Sequence, residues 1–374
     1  MFIQETGFII FLLTLAVLIW RDRKKIKFEG LMFIRRTKKG KKFINRIARH
    51  KTFWSAFSKI GVVVAICGMI FISGYLVFNA HGIATREVTK GAGLVLPSAS
   101  AKPVIKTGFI LLPWWLWVIA IITIMVPHEL SHGIISRIEK IKIKSLGVLL
   151  LLFLPGAFVE PDEKQLKKSK LSTRLKVYSA GSFANLIVAA IFLFLFLTMF
   201  NNLYVPSGIT FASTINGTDA YNKSLNGTII AINDYKISNI ENLTSLMKNI
   251  TPGKIIQIKT TTGNYSIKTY KQENKTMIGI QNVATLLTVK EKYSKSQLPL
   301  LVLNTFNWLW ILNLSVGLIN LLPLKPLDGG FIFQGLIEKK VKKRRAEKIT
   351  NYVSVLAFLV LMFNIIGPWI MKLL

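Results

Sequence analysis

His128 and His132 are four residues apart, with Glu129 between them, inside an apolar run from about Gly108 to Ile135. On a helix, positions four apart share a face, so both imidazoles reach one point. Two imidazoles so placed can hold one Zn²⁺, and the intervening glutamate is then placed to act on water at the metal. The chain has four histidines in all and two of them fall here. Ionisable groups within hydrocarbon cost roughly 2.5–3.5 kcal/mol each on insertion scales, so they normally mark a function.

Two histidines leave a zinc site short of a third protein ligand, and a carboxylate suits it. Asp328 stands between apolar flanks in the stretch from Asn320 to Gly330, at the end of a later apolar run. An alternative for Asp328 is the N-cap of a helix running from Phe331. The single cysteine, Cys67, excludes an intrachain disulfide and thiolate metal sites. The metal chemistry of this chain therefore rests on His and carboxylate.

These residues must be positioned by membrane helices. The 374-residue chain is 51% hydrophobic, and several apolar runs reach spanning length. Its formal charge of +32 is concentrated beside those runs: residues 21–51 hold 14 Lys/Arg against Asp22 and Glu29, and a second cluster spans Lys339 to Lys348. The positive-inside rule accounts for both clusters. Anionic lipid is an added partner they suit. No nucleic-acid recognition motif accompanies the charge, so a nucleic-acid partner is not expected.

Six spans are expected, with the N-terminus outside: Phe8–Trp20, Trp54–Phe78, the run from Gly108 through the histidines, Val177–Phe200, Leu298–Leu322 and Tyr352–Leu374. Residues 21–53 and 160–176 read as cytoplasmic and 79–107 as an external loop. Pro113, Trp114, Trp115 and Trp117 suit an outer interface, which places the histidines toward the cytoplasmic side. Leu146–Val159 is apolar but too short to span; with Pro155-Gly156 as a turn signal it reads as a re-entrant hairpin. Gly181 and Asn185 lie near the inner end of the fourth span. Asn185 is a polar group at membrane depth, serving either a helix–helix hydrogen bond or a substrate contact.

Residues 204–297 change character, with alternating β-branched runs (Ile229–Ile232, Ile255–Ile258) around a helical segment, Asn239–Asn249. This reads as a soluble α+β insert. Seven Asn-x-Ser/Thr sites occur in it, at Asn216, Asn222, Asn226, Asn242, Asn249, Asn264 and Asn274, where composition alone gives about two. The excess fits an external, glycosylated domain, and span counting puts the insert outside as well. The chain divides into 1–107, a two-span region; 108–203, the first part of a catalytic core; 204–297, the insert; 298–336, the second part of the core; and 337–374, a basic segment and last span.

His128-Glu129-x-x-His132 in one span, Leu327-Asp328-Gly329 after a later one, and a β-rich insert between them resemble the site-2 protease family of intramembrane zinc metalloproteases. The resemblance covers about Gly108 to Gly335. It implies a polytopic α-helical membrane protein with a PDZ-like extracytoplasmic domain. His128, His132 and Asp328 would be zinc ligands and Glu129 the general base. The Gly181…Asn185 spacing matches a family motif whose Asn contacts the substrate backbone, although Ser182 stands where the family often has Pro. The Leu146–Val159 hairpin is similar to a membrane-embedded β element on which an unwound substrate pairs as a strand. Leu225–Asp234 and Pro252–Ile255 resemble PDZ segments, which implies a bound peptide. The implied substrate is a transmembrane helix of another protein in the lipid bilayer. The first two spans and the last receive no role from the resemblance.

Two rival classes are weaker. A catalytically silent scaffold presenting the insert would be expected to lack a ligand or the base, and none is lacking here. An ion transporter would show repeat-related halves with matched broken helices, and no repeat is visible.

Overall fold

The computed structural model describes residues 2–29, 32–37, 39–89, 91–151 and 154–373. The chain forms two compact units, Met1–Phe194 with Thr305–Leu374, and Leu195–Asn304.

Among the described residues, six helices are long and apolar enough to cross a membrane: Gln4–Lys25, Lys51–Ala84, Trp114–Ile138, Leu171–Leu203, Leu298–Ile319 and Lys343–Leu373. Their number is as expected, and several helices run past the expected ends, the last beginning at Lys343 rather than at the expected Tyr352. The apolar run from Gly108 is not helical from its start. Phe109–Pro113 is a strand, parallel to Leu94–Ser98 and antiparallel to Val104–Lys106. An unbroken apolar run hides such a change of backbone, because neither period is legible when every residue is apolar. The region 79–107 is thus partly sheet and not a plain loop. The helix itself starts at Trp114, and Leu116, Trp117 and Ala120 pack against Leu309 and Leu312.

A second departure concerns residues 21–53. Ile26–Glu29 and Met32–Thr37 pair as antiparallel strands, and Met32–Thr37 continues onto Ile143–Leu151, which pairs with Leu154–Pro161. The result is a four-stranded antiparallel sheet. Leu146–Val159 is therefore part of two long strands. Pro155 and Gly156 lie within the second, opposite Leu150 and Leu149, and do not form the turn. The connecting residues 152 and 153 lie outside the described residues. Leu154–Pro161 is an edge of the sheet, where a proline is tolerated because no ladder bond is lost. The short helix Lys41–Ile47 packs Ile44 beneath this sheet, with Ile134, Ile143 and Val159.

The insert holds a sheet ordered Asn264–Lys268, Ile255–Thr260, Ile229–Ile232, Tyr204–Thr210, Ala284–Val289. Ile255–Thr260 alternates exposed and buried, and its buried Ile256 and Ile258 join Ile229, Ile232 and Ile267 in the core. That is the two-residue period of a half-buried strand. Asn233 and Asp234 have φ of +45° and +66° and turn the chain into Tyr235–Lys236, a two-residue hairpin that Asn and Asp accommodate. Helix Ile240–Lys248 is capped by Asn239, whose side chain accepts from the Asn242 N–H at 2.8 Å; its buried face is Leu243 and Met247.

Candidate active site

Four chain segments build the site within the first unit. The helix Trp114–Ile138 brings His128 and His132 to one face, their Nε2 atoms 3.2 Å apart. After the helix Leu298–Ile319 the chain folds back tightly. Gly329 N–H donates to the Asn320 carbonyl at 2.8 Å, and a Cβ on Gly329 would collide with the Leu321 carbonyl. This turn starts the helix Asp328–Ile337. Asp328 is its first residue and not its cap: the cap position is Leu327, and the carboxylate points at the histidines. Asp328 Oδ2 lies 3.4 Å from each Nε2.

The helix Leu171–Leu203 backs this group. The Val177 carbonyl lies 2.7 Å from His132 Nδ1, Ser182 Oγ donates to Asp328 Oδ2 at 3.2 Å, and Asn185 Nδ2 stands 3.2 Å from His128 Nδ1. Gly181 faces both imidazoles; a methyl group there would come within 2.6 Å of His128 Nε2 and nearer still to His132 Nε2. The fourth segment is the edge strand Leu154–Pro161, whose Val159 N–H donates to Glu129 Oε2 at 2.8 Å.

The family profile of peptidase family M50 matches residues 116–362. The chain is also 32% identical over 352 residues to an uncharacterised protein of Methanocaldococcus jannaschii, spanning 90% of this chain and 89% of that one. This chain belongs to peptidase family M50. It is accordingly a multi-pass membrane protein of the site-2 protease kind, in a family of zinc metallopeptidases.

The donor set of this M50 chain fits zinc. Two nitrogens and an oxygen lie within 4.8 Å of one another, with edges of 3.2 to 3.4 Å. Donors about 2.0–2.1 Å from one tetrahedral centre lie about 3.3 Å apart. The Val177 carbonyl fixes the proton of His132 on Nδ1, which leaves Nε2 free to bind metal.

His128, Glu129, His132 and Asp328 line one cavity of about 550 Å³ together with Val159, Tyr178, Asn320 and Phe331. Tyr178 stacks on Phe331 with ring centres 5.1 Å apart. Glu163 and Lys167, paired at 2.8 Å, also line it, so charged side chains stand at its margin. Nearby, Lys176 pairs with Glu139 at 2.6 Å and Arg174 with Glu338 at 2.7 Å. Burial raises both carboxyls, but hydrogen bonds from Lys176 and Thr173 to Glu139, and from Arg174 and Gln334 to Glu338, outweigh it and hold both below the usual range.

Sequence reasoning gave no part to Val177, Tyr178, Asn320 or the Val159 N–H. Main-chain groups leave no trace in residue types, and the Tyr178 ring meets Phe331 only through packing between segments far apart in the chain. Ser182 did leave one, as a hydroxyl at membrane depth in the place where the family often carries Pro.

Proposed function

We propose that this M50 chain is a zinc-dependent protease that hydrolyses a peptide bond within or near a transmembrane helix of another membrane protein, as a step of regulated intramembrane proteolysis. The observation that carries this reading is the convergence of His128, His132 and Asp328 in a cavity shared with Glu129 and bordered by an unpaired strand edge. His128, His132 and Asp328 are the zinc ligands. A zinc ion held there supplies Lewis acidity, acidifying water and polarising a carbonyl. Glu129 accepts the proton of the attacking water and passes it to the leaving amine nitrogen. Its hydrogen bond from Val159 orients one carboxylate oxygen and leaves the other for that work. Water enters past Glu163 and Lys167.

A transmembrane substrate has its backbone bonds satisfied within its own helix, so it must unwind before hydrolysis. The outer edge of Leu154–Pro161 offers the freed segment replacement partners. Among the described residues this strand pairs on one side only. On this reading the sheet lies at membrane depth and the metal toward the cytoplasmic side, the side on which the basic segments 21–51 and 339–348 are expected.

The insert is a PDZ-like, extracytoplasmic peptide-binding module. The groove between helix Ile240–Lys248 and strand Lys275–Met277, of about 510 Å³, is where a peptide would add. All seven sequon asparagines are exposed, in keeping with a glycosylated outer face.

The test is zinc content and cleavage together. Detergent-purified protein is expected to hold about one zinc per chain, lost or loosened in His132→Ala and in Asp328→Asn, and to cut a single-span substrate protein in proteoliposomes. A folded, zinc-loaded sample that left a panel of single-span proteins intact would point to a silent scaffold.

A further inference from the structure

Each of the three donor side chains is held by one group of the helix Leu171–Leu203: His132 by the Val177 carbonyl, Asp328 by the Ser182 hydroxyl, and His128 by Asn185. Two of these contacts have an unambiguous direction. A carbonyl can only accept, so His132 Nδ1 donates to Val177. A carboxylate oxygen accepts from Ser182. The third does not suit a metal site in its present orientation. With Asn185 Nδ2 facing His128 Nδ1, the amide donates and the ring nitrogen accepts. That puts the imidazole proton on Nε2, the atom that faces His132 and Asp328. Meanwhile Asn185 Oδ1 is buried with no partner, in a residue with no exposed surface. The O and N of an amide are assigned from their hydrogen-bond network, and a 180° turn of the group interchanges them. After that turn Oδ1 accepts the His128 Nδ1–H, and the Nε2 lone pair points inward.

We propose that Asn185 is a positioning residue for the metal site: its side-chain carbonyl accepts the Nδ1–H of His128, as the Val177 carbonyl does for His132, so that one helix sets both ring orientations and both tautomers. This rests on the zinc reading above. It gives Asn185 a part that needs no substrate. Carbonyl or carboxylate acceptors of this kind behind a ligating histidine are worth about 10- to 100-fold in metal affinity.

The test is zinc affinity of the full-length protein in detergent, read by competition with a chromogenic chelator, with no substrate present. Asn185→Leu keeps the approximate volume and removes the acceptor; Asn185→Asp keeps the acceptor and cannot donate. The expected result is a loss of about 10- to 100-fold in Asn185→Leu and affinity within a few-fold of the parent in Asn185→Asp. Melting of the zinc-free proteins separates loss of fold from loss of a ligand's support, and Asn185→Ala replaces Asn185→Leu should the latter not fold. If the parent binds zinc and Asn185→Leu binds it equally well, the proposal falls while the zinc reading stands. If Asn185→Asp, folded, loses zinc as Asn185→Leu does, the acceptor role is refuted. If the parent binds none, both readings fall.

Discussion

Replacing Gly181 by alanine puts one methyl group against both imidazoles of the site. Its carbon would stand 2.6 Å from His128 Nε2 and closer to His132 Nε2. Ordinary contacts begin at about 3.5 Å, so the rings must retreat by roughly 1 Å. His132 cannot do so cheaply, because its Nδ1 is held by the Val177 carbonyl at 2.7 Å. Zinc–ligand distances tolerate only about 0.2 Å. Overpacking of this kind costs about 1–3 kcal/mol, and at about 1.4 kcal/mol per tenfold this lowers zinc affinity by about 5- to 140-fold. Chelator competition on detergent-purified protein reads the change. Gly74→Ala is the matched control: no atom lies within 4 Å of a Cβ built there, and its zinc affinity should equal the parent's. A Gly181→Ala protein with parental zinc affinity would refute the reasoning, since it would mean that the imidazoles need not sit where the helix Leu171–Leu203 now confines them.

Other outcomes follow from the same geometry. Glu129→Gln keeps an oxygen for the Val159 N–H but cannot take a proton, so it should retain zinc while peptide hydrolysis falls about 10²- to 10⁴-fold. Chelation should abolish hydrolysis, and added zinc should restore it; recovery without metal would contradict the ligand assignment. Glu338 has a folded-state pKa below its usual value. Its stabilisation is therefore complete above about pH 4.3, the usual glutamate value, and is lost as pH falls through the folded value. The melting temperature of zinc-free protein should drop below that pH, and less steeply in Glu338→Gln. Asn364 is fully buried, accepts from Asn79 at 2.7 Å and donates to the Leu76 carbonyl at 3.0 Å, joining the helices Lys51–Ala84 and Lys343–Leu373. Asn364→Leu should cost about 0.6–1.7 kcal/mol in thermal unfolding, the range of interhelical hydrogen bonds in membranes.

The residues that converge on the metal site were readable because their types are out of place. A histidine pair rarely interrupts an apolar run without a function, and the four-residue spacing fixes a common face; Asp328 kept a capping alternative that only the fold removed. The long helices were readable from length and composition, since bilayer thickness sets both. What was hidden had physical reasons for hiding. Lys27, Arg35 and Arg36 made Ile26–Thr37 look like a charged loop, yet in the strand Arg35 pairs with Asp22 and Arg36 lies over the Phe158 ring, partners that no local pattern shows. Phe109–Pro113 merged with the helix behind it because all five residues are apolar. Pro155-Gly156 looked like a turn, although at a sheet edge neither residue forces one. Asn185 could be singled out as a polar group at membrane depth, but the partner it serves depends on packing between helices, which no local pattern encodes.

The mixed origin of the four-stranded sheet has a consequence for how the protein is made. Thr37 pairs with Leu146 and Ile34 with Leu149, and the helices Lys51–Ala84 and Trp114–Ile138 lie between them in the chain. The first hairpin leaves the ribosome long before its partner strands exist, and a lone hairpin is marginal in stability. During that interval Arg35 and Arg36 guard its open side, as charges on exposed strands commonly do against mispairing. Only after two helices are inserted can Ile143–Leu151 dock, and only then does Leu154–Pro161 have a template to lie against. An early segment thus backs the strand on which the Glu129-binding strand is laid. A chain shortened past Thr37 would still spell out every ligand, yet Ile143–Leu151 would lose the strand beside it and the wall of the catalytic cleft would be a lone hairpin.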